Sequence, residues 1–423
     1  MRKSVFACCV VVLATLMLAG SVGATTISFW HNFGGLEKEV VDSMIETWNR
    51  ANPDIQVEGT YVSAQGRGGL VLQEKLLTAI AGGTPPDVAY FNRHSTASWA
   101  VRDSFVSLNS YMEASGLNSD DYLPFALKES TWKGNVYSLP FNTDTRGLFW
   151  NKEMFAEVGL DPETPPTNIE QLDLYAEKLT KLDARGRLER IGFVPWRAQG
   201  LFYTWALSFG GQVYDEVNQK CTATDPKIIE MLHWMQSYSK KYDISKIDTF
   251  SSAFGAQEQN PLYTGQVAME INGVWELASI ERYAPNLQFG VSHIPYPHSG
   301  RNATYSGGWS VVIPRGAKHP EEAFEFARWF AGEEGQYIYC SNTSSIPTNV
   351  GTIERLQETA TPNWQMFLDL LSVASGRPVT PEIDLLKQED AINYDLVIHL
   401  KKTPEQAMAD LEAKVNKAME RWK

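Results

Sequence analysis

The sequence predicts an α/β fold of two compact lobes. Strand-like and helix-like stretches alternate along the chain, and about 399 residues follow an N-terminal leader, enough at roughly 150 per domain for two or three domains. No flexible tether, low-complexity tract or internal repeat separates the parts, so the lobes are joined by chain crossings rather than by a linker.

The leader comes first. Arg2 and Lys3 precede an apolar run from Val5 to Ala19 and a small-residue end at Val22-Gly23-Ala24. This is the layout of a secretory signal peptide, too short to span a bilayer. Cleavage is expected before Thr25, and no Cys stands where a lipoprotein signal needs one. A free periplasmic protein without membrane insertion follows. Removing two of the 37 basic residues leaves 35 against 50 acidic ones, a net of about −15. Nucleic acid and anionic membrane surfaces are therefore poor partners.

"TTISFWHNF" from Thr25 reads as a strand. The following helix places Val40, Met44, Ile45 and Trp48 at helical spacing before Asn52-Pro53. "IQVEGTYV" from Ile55 is a second strand, and "LQEKLLTAIAGGTPPDVAYF" is a helix, a Gly-Gly stop, a Pro-Pro break and a buried-type strand. "PEEAFEFARWFAGEEG" from Pro320 carries Ala323, Phe326, Ala327 and Phe330 on one face. The last helix opens with Thr403 as N-cap and Pro404 at its first position.

The enzyme motifs HExxH, GxSxG and the Walker loop are absent from the sequence, and "GRGG" near Gly66 does not continue into a dinucleotide fingerprint. The seven His are scattered, so neither a metal nor a cofactor is expected. A secreted glycoside hydrolase stays open, because its two acids need only be close in space.

Aromatic and small polar residues stand at strand ends, where open α/β sheets bind ligands. These are Trp30-His31-Asn32, Asn92-Arg93-His94, Trp196-Arg197 and Trp275. Indole faces suit the C–H face of a pyranose, and planar polar side chains suit its hydroxyls. Each has a plainer reading: a lone Trp is more often core, His31 a satisfied turn residue, and Arg93 and Arg197 solvated charges. Trp48, Trp99, Trp329 and Trp364 read as packing.

Eight stretches in order resemble one family over nearly the whole mature chain. They are "ISFWHNFGG", "PPDVAYF", "YSLPFNTDTRGLFWNKEMFAEVGLDPETPPTNIEQL", "LSFGGQVYDE", "GQVAMEINGVWELASI", "GVSHIPYP", "GGWSVVIPRGAKHPEEAFEFARWFA" and "SIPTN". The family is that of the extracellular solute-binding proteins of carbohydrate ABC importers, which includes maltose-binding and glycerol-3-phosphate-binding proteins. The resemblance implies a periplasmic-binding-protein fold of class II type, closing over a cleft. It puts 25–143 plus 311–345 in the N-terminal lobe, 147–306 plus 347–423 in the C-terminal lobe, and hinges near 142–146, 307–310 and 344–348.

The strand-end reading and the resemblance together give a ligand set: Trp30, His31, Gln65, Asn92, Arg93, Asp144, Trp196, Trp275, Gly308, Trp309 and Arg377. Asp144 matches a ligand-binding Glu of maltose binders and is expected to clamp hydroxyls, facing water when the cleft is open. Trp275 matches a sugar-stacking Trp, and Gly308 and Arg377 match cleft positions of the glycerol-phosphate binders. His94 stands where the maltose binders have an acid, and Phe202-Tyr203 only loosely matches their tyrosine. The implied partners are a sugar, oligosaccharide or sugar derivative and the ABC permease, and the implied state is a monomer. An anionic polyol phosphate clamped by Arg93 and Arg377 is the alternative. Cys221 and Cys340 fall in different lobes and are expected as free, buried thiols.

Overall fold

The computed structural model describes residues 24–62 and 70–422. The expected leader and Gln65 lie outside these residues.

Two sheets organise the chain. The first is built from β1 (Thr25–His31), β2 (Ile55–Tyr61), β3 (Val88–Asn92), β4 (Leu139–Thr143), β8 (Gly308–Val312) and β9 (Ile346–Pro347), in the order β9-β4-β8-β3-β1-β2. The β1 strand runs parallel to β2 and β3, while β8 and β9 pair antiparallel. The second sheet has three antiparallel strands: β5 (Arg146–Asn151) lies between β6 (Met269–Gly273) and β7 (Phe289–Ser292).

The helices used below are α1 (Gly35–Ala51), α2 (Leu70–Ala81), α3 (Phe202–Ser208), α4 (Glu276–Tyr283), α5 (Pro320–Phe330), α6 (Glu333–Thr343), α7 (Ile383–Ile398) and α8 (Pro404–Met419). Val40, Met44, Ile45 and Trp48 of α1 are buried, as their spacing requires. So are Ala323, Phe326, Ala327 and Phe330 of α5. α8 begins with a full capping box, in which Thr403 and Gln406 satisfy each other's backbone N–H. Trp48, Trp99 and Trp364 are buried and Trp329 packs on the core, so all four serve as packing.

Two large cores result. One holds Phe29, Phe33, Phe141 and Phe330 around the first sheet, and the other holds Leu148, Trp205, Met235 and Leu411. Cys340 belongs to the first and Cys221 to the second; both are free and buried. Burial pushes the Cys221 thiol up to about 12 and Cys340 well above its usual value.

The chain passes between the sheets at Asp144–Thr145, between β4 and β5, and again just before β8. The third crossing differs from the expected boundary at 347. After β9 the helix Val350–Gln357 stays on α6, with the Thr352 hydroxyl donating to the Glu333 carbonyl at 3.0 Å. Trp364 still donates its indole N–H to the Ser344 carbonyl at 3.2 Å, whereas Phe367 stacks on Phe149 of β5 at 5.6 Å, so the chain reaches the second sheet between these two residues. The "SIPTN" motif marks a sheet edge rather than the crossing itself.

Candidate functional site

A cavity of about 1380 Å³ lies between the lobes. Gly34, Asn92, Asn142 and Trp309 line it from the first lobe, and Trp196, Tyr203, Trp275, Tyr305 and Arg377 from the second. At its mouth Arg282 of α4 donates both terminal nitrogens to Glu39 of α1, at 3.0 and 2.9 Å. Both side chains are well exposed, so solvent screens this contact between the lobes and it holds them together only weakly.

The crossings are tied together by charge-assisted bonds. Arg93 is fully buried and uses three groups: Nε donates to Glu129 at 2.7 Å, and its terminal nitrogens to the Asn142 and Gly307 carbonyls at 2.6 Å each. Gly308 sits against this knot at φ +140, and an added Cβ would come within 2.3 Å of the Asn142 oxygen and 2.4 Å of Arg93. Only glycine fits there. Asp144 accepts the Gly307 N–H at 2.7 Å and pairs through the same oxygen with Arg146. Its side chain is 13% exposed.

These contacts sort the expected site residues. Asn92, Asp144, Trp196, Trp275, Gly308, Trp309 and Arg377 all line the cavity. Trp309 spends one face on Tyr90, stacked at 4.7 Å, and turns to the cavity only in part. Arg93 is a correction: it is neither solvated nor a ligand clamp but the centre of the hinge knot, and it does not line the cavity. Trp30 and His31 do not line it either. His31 is buried between Phe29 and Phe33, at 5.4 and 5.5 Å between ring centres, and burial pushes its pKa down to about 4. Asp144 lines the cavity with one carboxylate oxygen committed to Arg146 and the Gly307 N–H.

A cation–aromatic ladder runs along the second-lobe floor. Arg146 lies over Trp275 at 5.4 Å and over Tyr305 at 4.3 Å, and Arg377 lies over Tyr305 at 4.9 Å and Tyr203 at 5.2 Å. Each guanidinium holds a ring in place by its quadrupole. Behind Trp275 sit two buried carboxylates. Glu270 accepts from Arg197 at 2.8 Å and Asn272 at 2.9 Å, while Glu276 accepts from Tyr263 and from Asn260 at 3.3 Å. Burial, then the Glu270 charge, pushes Glu276 up to about 7. This pair does not line the cavity.

Sequence reasoning missed α7 entirely. Asp384, Lys387, Gln388, Asp390 and Tyr394 all line the cavity. Their polar spacing in "IDLLKQEDAINYDLVI" is that of any solvated helix face, so the sequence carried no separate signal.

The profile of the bacterial extracellular solute-binding proteins matches residues 34–337. The chain belongs to this family. It is 26% identical over 319 residues to the sn-glycerol-3-phosphate-binding periplasmic protein UgpB of Escherichia coli, covering 72% of this chain and 69% of that one. Among solved structures it is similar to CpMnBP1 with mannobiose bound, at TM-score 0.84 and 28% identity, over 92% of this chain and 99% of that one. The maltose-bound MalE3 of T. maritima shares the fold at TM-score 0.78 and 21% identity, over 93% and 99%. The two-lobed periplasmic-binding-protein fold is thereby established for this solute-binding protein, and its cavity lies between the lobes as the fold requires.

Proposed function

We propose that this chain is the periplasmic receptor of an ABC importer, which binds a sugar, oligosaccharide or sugar derivative and hands it to the permease without catalysis. The observation that carries this reading is the cavity between two lobes, with half-buried indoles beside hydrogen-bonding side chains. The family and the mannobiose-binding relative support it. A sugar that touches both lobes stabilises the closed state by the difference in contacts between open and closed forms. The weak Glu39–Arg282 contact cannot supply that difference alone.

Under this reading Trp275 and Trp196 stack on pyranose faces, while Asn92 and Arg377 meet hydroxyls and Asp144 braces the hinge beside them. Gly308 lets the backbone approach the ligand, and Trp309 closes the first-lobe side. The leader directs export, and the mature chain acts as a monomer with no cofactor. The glycerol-phosphate alternative loses one of its two clamps, because Arg93 is spent on the hinge.

Thermal-shift screening of the mature protein tests the reading. A ligand at 100 times its Kd adds about 2.7 kcal/mol of stability. A sugar that raises the melting temperature in this way supports the receptor assignment; release of reducing ends from a panel of glycosides would replace it with the hydrolase.

A further inference from the structure

The ladder from Trp275 through Arg146 and Tyr305 ends at Arg377, where α7 supplies Lys387 and Asp390 to the same cavity. Lys387 is half-buried and has no hydrogen-bond or ion-pair partner among the described residues. Asp390 is buried, and its Oδ2 has no partner; Arg377 Nε, Tyr203 OH and His94 Nε2 also lack one. His94 Nδ1 faces an Arg377 nitrogen at 3.4 Å and, with its pKa pushed far down by burial, accepts that N–H. Opposite charges thus share one end of the cavity without pairing with each other.

Their energetics agree. Burial, then Arg377, lowers Lys387 to about 8, and burial raises Asp390 to about 7 against the pull of Arg377 and Lys387. Both shifts run in the direction of charges that have lost water and gained no partner. A group inserted between them recovers that cost. The charges facing the gap balance: Arg377 and Lys387 stand against Asp390 and Asp384, the latter held by the Ser95 and Ser98 hydroxyls at 2.6 and 2.5 Å. Glu129 is already paired with Arg93. A phosphate or carboxylate would upset this balance and meet Asp390. A hydroxyl fits, because it accepts from a cation and donates to a carboxylate at once.

We propose that Lys387, Arg377 and Asp390 form a second sugar subsite, which takes neighbouring hydroxyls of an uncharged ring, so that the ligand is an uncharged oligosaccharide reaching from Trp275 to α7. The inference rests on the sugar-receptor reading and goes further by excluding acidic sugars and polyol phosphates. The cavity, at about 1380 Å³, exceeds the 300–1,000 Å³ or so of an ordinary small-molecule pocket, so one monosaccharide leaves it unfilled.

Calorimetric titration of the mature protein tests it. The probes are neutral hexose and pentose di- and trisaccharides, including mannobiose and maltotriose, set against digalacturonate and sn-glycerol 3-phosphate. A neutral oligosaccharide is expected to bind and both acidic probes to fail. Asp390→Asn and Lys387→Met should each weaken the neutral ligand at least tenfold. The apo melting temperature of Asp390→Asn should hold or rise, because an unpaired buried charge is removed. Tighter binding of digalacturonate or of glycerol phosphate overturns the inference and shows which acid the site takes. Unchanged affinity in both variants overturns it too. Failure of every probe to bind counts instead against the sugar-receptor reading.

Discussion

The two walls of the cleft are built differently. The first lobe meets the cavity with strand ends of a six-stranded sheet and the first turns of α1 and α2, and its buried Arg93, behind that wall, is consumed by the hinge. The second lobe has only three strands in its sheet and meets the cavity with helices and loops, whose Trp196, Trp275, Arg377 and Lys387 remain partly open beside the buried Tyr203 and Asp390. The first wall is a frame, and the second carries most of the ligand chemistry. A polar residue at a strand end is therefore no guide to ligand contact until its partners are counted.

Arg93→Met attacks the frame and should have the largest effect. It leaves Glu129 buried without its partner, which costs about 3–5 kcal/mol. The apo melting temperature should fall steeply; a large loss of affinity with an intact melting temperature would return Arg93 to the ligand set.

The second wall has its own weak point in Glu276, whose folded pKa of about 7 stands above its ordinary 4.5. A carboxyl raised on folding contributes stability that is full below about pH 4.5 and lost as pH rises through about 7. Asp390 acts in the same direction. The Glu276 contribution should fall by on the order of 2–3 kcal/mol between pH 5 and 7, while His31 and His94, held below the usual imidazole pKa by burial, act in the opposite direction up to about pH 6.5. Glu276→Gln should flatten the profile measured by chemical denaturation, and an unaltered slope would mean that Glu276 already ionises in the folded protein.

Trp275→Ala tests the contrast on the ligand side. Loss of its stacking face should cost about 1–3 kcal/mol of binding, roughly five- to 150-fold in Kd, with the fold retained. Titration calorimetry that finds no change would make Trp275 a packing residue of α4 and shift the chemistry toward the first lobe.

Asp144→Asn now separates frame from ligand clamp. Both observed bonds of Asp144 are to the hinge, so the apo protein should lose about 1–2 kcal/mol, with affinity following indirectly. An unchanged apo melting temperature with weakened binding would restore the clamp. Arg282→Ala should do least: removing one exposed, solvent-screened pair between the lobes should leave Kd almost unchanged. A larger loss in Kd would show that the lobes' own contact, rather than the ligand, holds the cleft shut.

The sequence by itself determined the strands β1, β2 and β3, the helices α1, α5 and α8, and the Cys221 and Cys340 positions, because periodicity, caps and breakers act within a few residues. It also singled out Trp275 and Arg377 through their resemblance to a family. It could not separate Arg93 from Arg377, since both are isolated arginines and only their neighbours differ: Arg93 meets Glu129, Asn142 and Gly307, while Arg377 keeps Nε unpaired. Nor could it find Lys387 and Asp390. On a helix such residues look solvated until the first lobe, whose Ser95 and His94 stand 289 and 283 residues from Asp384 and Arg377, packs against this end of the cavity. Tertiary structure alone decided that, because burial and charge pairing across a cleft are set by contacts that no local pattern records.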